Sequence, residues 1–162
     1  MKNKLVPQTQ LLALVQLYAL FVRVLDFFSP VANLAIRLYV ANVFWLSGQT
    51  KIASWDSTLA LFENEYAVPL LPPEIAAYMG TGVELGLPIF LVLGLGTRFA
   101  GIVLFVFNII AVISYPDLGE VGLKDHTHWG LLLLVPVFYG AGRLSVDHWL
   151  HKRFFAAEVR QT

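Results

Sequence analysis

Three ionisable side chains stand in stretches of this chain where charge is hard to accommodate. Glu84 lies inside YMGTGVELGLPIF, residues 78–90, among apolar residues, glycines and one threonine. Arg37 and Lys51 flank a second apolar stretch, RLYVANVFWLSGQTK, residues 37–51. A charge at the centre of a membrane span costs about 2.5–3.5 kcal/mol, so such a carboxylate is expected to be paired, protonated or open to water. The chemistry on offer is proton carriage or the binding of a polar group. Arg37 is the expected partner of Glu84. It lies seven residues after Pro30, about 10 Å into a helix, and its long side chain extends that reach. Lys51 is expected at the outer surface.

Arg37, Phe44 and Lys51 recur every seven residues, with Ala41 and Gly48 between them. That spacing puts them on one helix face, basic at both ends and small in the middle. Phe44, Trp45 and Tyr78 supply aromatic flanks. Gly82 and Gly86 form a GxxxG pair that allows close helix approach. Pro88 frees a backbone carbonyl one turn away, as in the broken helices that line transporter cavities. Asn108 and Tyr115, seven apart, are further polar flanks. In LKDHTHWG, His126 and His128 are two residues apart and need help from another segment, such as Asp117, Glu120 or Asp125, to hold a metal. The alternative is a pair of interfacial histidines capping a helix.

The elements that position these residues follow from composition. Of 162 residues, 57% are hydrophobic and 14% charged, with a mean hydropathy of +0.68. This is too apolar for one water-soluble domain. Stretches near the length of about 20 residues that a span needs lie at 30–50, 74–95, 97–115 and 128–141, the last being the shortest. The expected fold is all-α, an integral membrane four-helix bundle. Residues 1–29 are read as an N-terminal amphipathic interfacial helix, 30–144 as the four-span membrane domain and 145–162 as a short C-terminal cytoplasmic helix and tail. Within the first segment, residues 11–28 carry Gln16 and Arg23 on one stripe, which fits a helix lying in the interface; a fifth span is the alternative. Ser29-Pro30 is read as the restart of the chain.

Nine lysines and arginines fall on one side of this arrangement, leaving Lys51 and Lys124 on the other. The positive-inside rule then places both termini in the cytoplasm. The formal net charge is zero, which argues against a nucleic-acid partner. The lipid bilayer is the expected partner surface, together with other protein subunits or further copies of the chain. The absence of cysteine removes thiol redox chemistry, cysteine-ligated clusters and covalent c-type haem from this chain. In the outer loop, Ser54 is expected to cap a short helix through Phe62, followed by a stiff segment containing Pro69, Pro72 and Pro73.

After the fourth span, GAGRLSVDHWL makes a corner, with Gly140 and Gly142 ending one helix and Ser145 capping the next. Together with RLYVANVFWLSGQTKI and VELGLPIFLVLGLGTRFAG, this corner resembles the DoxX family of small bacterial and archaeal membrane proteins. The resemblance runs over about residues 33–150 and rests on Arg37, Lys51, Glu84, the turn at 94–98 and the corner. It implies a four-helix bundle in the cytoplasmic (inner) membrane. It also implies an accessory subunit of a quinone-linked redox complex, not catalytic alone, with Arg37, Lys51 and Glu84 forming or bordering a quinone or proton site and with no covalently bound cofactor. A small proton- or ion-coupled permease and a structural anchor for a soluble partner are the alternatives.

Overall fold

The computed structural model describes residues 8–155. Lys2, Lys4 and Arg160, counted in the charge asymmetry, lie outside the described residues, as does the end of the expected C-terminal tail. The fold is all-α: α1 (Gln8–Ala53), α2 (Trp55–Asn64), α3 (Pro73–Leu93), α4 (Thr97–Ser114), α5 (Gly119–Tyr139) and α6 (Val146–Leu150), the last continuing into one π-helical turn, His151–Phe155.

α1 does not restart at Ser29-Pro30. It runs unbroken for 46 residues with Pro30 inside it, about 69 Å at 1.5 Å per residue. Proline removes one backbone hydrogen bond and crowds the preceding turn, but residues 11–29 contain no glycine or asparagine to take the left-handed turn that ends a helix. Residues 10–29 remain exposed apart from half-buried Val22. The segment expected as a separate interfacial helix is therefore the first part of α1.

α3 begins on Pro73, where a missing N–H costs nothing, and ends on Gly94 in the left-handed conformation. By length and composition α1, α3 and α4 can cross a membrane, and the chain is a multi-pass membrane protein. α5 starts nine residues before the expected fourth span and carries Glu120, Lys124 and Asp125 in its first two turns. It packs as the fourth member of the bundle: α1 lies along α3, α3 on α4, α4 on α5, and α5 returns to α1. Val40, Ala41, Phe44, Leu91, Ala100, Leu104 and Leu133 form the buried centre. α2 seats Phe62 on Ala76 and Ala77 of α3 in a second cluster. Ser54 stands at its N-terminus as expected, but its hydroxyl pairs with the Ser57 hydroxyl and caps no backbone amide.

One end of the bundle is tied together by Arg37, which is fully buried. Its Nη1 donates to the carbonyls of Leu91 at 2.7 Å and Val92 at 3.3 Å. Nη2 donates to the Leu144 carbonyl at 2.6 Å, and Nε donates to Asn33 Oδ1 at 3.2 Å. Leu91 and Val92 are in the last turn of α3, whose carbonyls carry the negative end of the helix dipole; the Leu91 carbonyl also accepts the Gly94 amide at 3.2 Å. The corner is locked a second time by Asp147, which accepts from the amides of Gly96 at 2.8 Å and Thr97 at 3.1 Å, the positive start of α4. The Asp147 amide donates to the Gly94 carbonyl at 2.9 Å.

Gly94 is required here twice over. Its φ is +67°, and a Cβ would stand 2.5 Å from Ser145 Cβ and 2.7 Å from Arg37 Nη1. Gly96, at φ +55°, has open space around its Cβ position. Gly94→Ala is therefore expected to cost more than the roughly 1–3 kcal/mol of a left-handed non-glycine residue, and Gly96→Ala no more than that. Thermal unfolding of the two variants in the same detergent measures the difference; equal losses would refute the crowded corner.

Candidate functional site

Glu84 lies eleven residues after Pro73, about 16 Å along α3 and near the middle of that helix. It is 5% exposed. Its partner is Lys51, with Nζ 2.7 Å from Oε2 and 2.9 Å from Oε1. Ser47, one turn before Lys51, donates to Oε1 at 3.1 Å and accepts from Lys51 Nζ at 3.0 Å. The three side chains close a ring of hydrogen bonds between α1 and α3. Gly48 permits it, because a Cβ there would lie 2.8 Å from Leu85 and 3.1 Å from Glu84 Cβ. Thr58 then fastens α2 over the pair by donating to the Lys51 carbonyl at 2.9 Å.

The expected Arg37–Glu84 pair is thus replaced by Lys51–Glu84, and Lys51 turns inward instead of sitting at the surface. Long side chains on a helix lean toward its N-terminus. On α1 this directs Lys51 down toward Glu84 and directs Arg37 away from it, onto the end of α3. Arg37 and Lys51 are fourteen residues apart, about 21 Å along the helix. The Ser47/Lys51 spacing of one turn, with Gly48 beside it, puts a hydroxyl and a small residue on the face of α1 that meets Glu84.

The pair borders a cavity of about 450 Å³ between the helices, within the range of about 300–1,000 Å³ common for small-molecule sites. Ser47, Lys51 and Glu84 lie on its α1–α3 wall, and Ser114, Tyr115 and His126 on the side of α4 and α5. Met79, Ile102 and Val106 line it and are also exposed on α3 and α4. The cavity therefore gives onto the apolar face that a bilayer covers. Tyr66, from the loop after α2, completes the wall, with its ring edge-on to Phe62 and to Tyr115. Burial pushes the Tyr66 phenol above its ordinary range, with Tyr115, Glu65 and Glu84 acting in the same direction, so its hydroxyl keeps its proton near neutrality.

Of the expected flanks, Tyr115 reaches this cavity. Phe44 is in the bundle core against Phe107. Trp45 lines a separate groove between α1 and α3 with Asn42 and Ile89, and Tyr78 packs on Trp55 with ring centroids 4.5 Å apart. Among the described residues Gly82 and Gly86 have nothing near their Cβ positions, so the GxxxG pair makes no close helix contact there. Asn108 acts through His126: its Oδ1 is 2.8 Å from His126 Nδ1, and its Nδ2 donates to the His126 carbonyl at 2.9 Å. His128 instead meets Tyr39 edge-on. The two histidines are not brought together, and among the described residues no group of three or more His, Cys, Asp or Glu side chains could hold a metal. Sequence reasoning missed Ser47, which reaches Glu84 only through the packing of α1 on α3, and Tyr66 and Ser114, whose polar groups become visible as site residues only once the loop after α2 and the end of α4 meet.

The DoxX family profile matches residues 32–116, more than half of the chain. This chain belongs to the DoxX family. The matched stretch holds Arg37, Lys51 and Glu84 and stops before the corner at Ser145 and Asp147, which the structure ties to it through Arg37 and Gly94. The DoxX chain is also similar to an uncharacterised protein of Haemophilus influenzae, at 30% identity over 133 residues, covering 76% of this chain and 86% of that one. No solved structure matches it.

The pairing can be measured directly. Lys51→Met leaves the Glu84 carboxylate buried without its cation, and the expected destabilisation is on the order of 3 kcal/mol. Lys51→Met combined with Glu84→Gln is expected to recover most of that loss. Were the double variant to lose the sum of the two single effects, Lys51 and Glu84 would not be coupled.

Proposed function

We propose that this DoxX protein is a membrane subunit of a quinone-linked redox complex, and that the Lys51–Glu84 cavity receives the head group of the quinone. The observation that carries this reading is an intramembrane lysine–carboxylate pair exposed to a small-molecule-sized cavity on the bilayer-facing side. A quinone, when bound, supplies two-electron chemistry coupled to two protons. The three Lys51 N–H groups are directed at Ser47 and at both Glu84 oxygens, so a ring oxygen would take one of them by exchange, and Glu84 is the nearby group able to hold or release a proton. Val83, Val106 and Phe107 give the cavity an apolar lining for a ring or tail.

The fit is supported by polar groups on more than one wall, including a buried Ser114 hydroxyl with no hydrogen-bond partner. With no cysteine in the chain, thiol and cysteine-ligated redox centres would have to come from a partner subunit. Arg37 takes no part in the site under this reading; it is held by backbone carbonyls at the other end of the bundle.

Native mass spectrometry of the protein, released gently from its own membranes at natural expression, tests the proposal. The expected result is a stoichiometric quinone or an oxidoreductase partner, with the quinone reduced at least tenfold in the Glu84→Gln variant, the equivalent of about 1.4 kcal/mol. A homo-oligomer carrying neither quinone nor oxidoreductase would overturn it.

A further inference from the structure

The cavity has a second set of polar groups that the lysine–carboxylate pair does not use. Ser114 closes α4 and is 4% exposed. Its carbonyl accepts from the Ala67 amide at 2.7 Å, but its Oγ is buried with no partner, which is costly unless something else satisfies it. His126 lines the same cavity from α5. Asn108 fixes the tautomer of its neutral ring. The Asn108 amide nitrogen donates to the His126 carbonyl, so the amide oxygen is the atom facing Nδ1 at 2.8 Å. That oxygen can only accept, so Nδ1 carries the proton and Nε2 of the neutral ring is left as an acceptor. Nε2 has no hydrogen bond among the described residues.

The bundle is a ring of four helices, so α4 and α5 face α1 and α3 across the cavity. Tyr66 lines the same cavity, in ring contact with Tyr115. One wall therefore holds the Glu84 carboxylate as acceptor, with the Lys51 ammonium already bonded to it and to Ser47 and open to a ligand only by exchange. The other is lined by Ser114, whose unpartnered hydroxyl can donate or accept, and by His126, whose Nε2 in the neutral ring can only accept.

Resting on the quinone reading above, we infer that the cavity binds an aromatic ring bearing hydroxyl groups at both ends, the quinol state, in preference to the quinone. One ring oxygen meets Lys51 and Glu84, and the hydroxyl at the far end donates to His126 Nε2 beside Ser114. A quinone carbonyl has no proton to donate. It would face the Nε2 lone pair with its own, leaving that acceptor unsatisfied and adding repulsion between the two. His126 is thus the residue that reads the protonation state of the ligand, and Asn108 is a positioning residue that sets the tautomer.

Isothermal titration of the full-length protein in lipid nanodiscs tests this, with a decyl-tailed benzoquinol, its quinone and its dimethyl ether as probes. The quinol is expected to bind about tenfold more tightly than the quinone, the worth of one buried hydrogen bond, and the dimethyl ether no more tightly than the quinone. In His126→Phe the quinol preference should disappear. The ether comparison is made on the unaltered protein, so it decides the matter even where the variant does not fold. Equal binding of quinol and quinone, or an undiminished quinol preference in folded His126→Phe, overturns the inference and leaves the quinone reading intact. Binding of none of the probes overturns both.

Discussion

A guanidinium removed from water cannot neutralise itself, because it stays protonated at any accessible pH, and its five N–H groups must find acceptors. In this protein Arg37 meets that requirement almost wholly with backbone. It takes the exposed carbonyls at the end of α3 and the carbonyl of Leu144 beyond α5, while Asn33 bridges to the Gly140 carbonyl. Three chain segments far apart in sequence are fixed relative to one side chain. The register of α1 against α3 follows, and with it the level at which Ser47, Gly48 and Lys51 meet Glu84. Asp147 repeats the logic with the opposite sign, its carboxylate on the first amides of α4. The two residues satisfy the two helix ends that meet at a single turn, and that turn needs glycine because the guanidinium fills the space a side chain would take.

Much of the fold could be read from apolar length and from punctuation. The bundle, the loop helix α2, the turn after α3 and the corner at Ser145 all follow from patterns that local physics decides. Ser145 accepts the His148 amide at 3.1 Å, as a capping serine should. Two local inferences failed for local reasons. Ser29-Pro30 reads as a restart of the chain, but the residues before it supply nothing that ends a helix. The start of α5 was placed late because its charged first turns break the hydropathy pattern without breaking the helix.

The candidate site was legible as a set of residues and illegible as a set of contacts. Arg37, Lys51 and Glu84 stand out as charges in apolar surroundings, but which cation meets the acid depends on the antiparallel register and on the lean of side chains along α1. Neither is a property of spacing within one helix. Ser114 and Tyr66 carried still less signal, since a serine at a helix end and a tyrosine in a loop are ordinary residues. Their part in the cavity comes from tertiary folding, where the loop after α2 hydrogen-bonds to the end of α4.

The contrast between the two buried cations bears on function. Arg37 sits in packed surroundings with its donors directed at carbonyls of the protein, so a ligand could reach it only by dismantling the corner. Lys51 and Glu84 are held just as closely to each other, but they border a cavity. An ion pair is a poor device for stability alone, since well-packed apolar groups of similar volume often serve as well or better. At Arg37 the charge has an architectural reason, because no apolar side chain could satisfy the carbonyls of α3 and of the corner. At Lys51 and Glu84 no such backbone demand is evident beyond the hydroxyl of Ser47, and apolar residues could join α1 to α3 at that level. What the pair adds over an apolar contact is a donor and an acceptor beside a space reachable from the hydrocarbon, and this is the reason to look for a polar ligand there and not at the more deeply buried arginine.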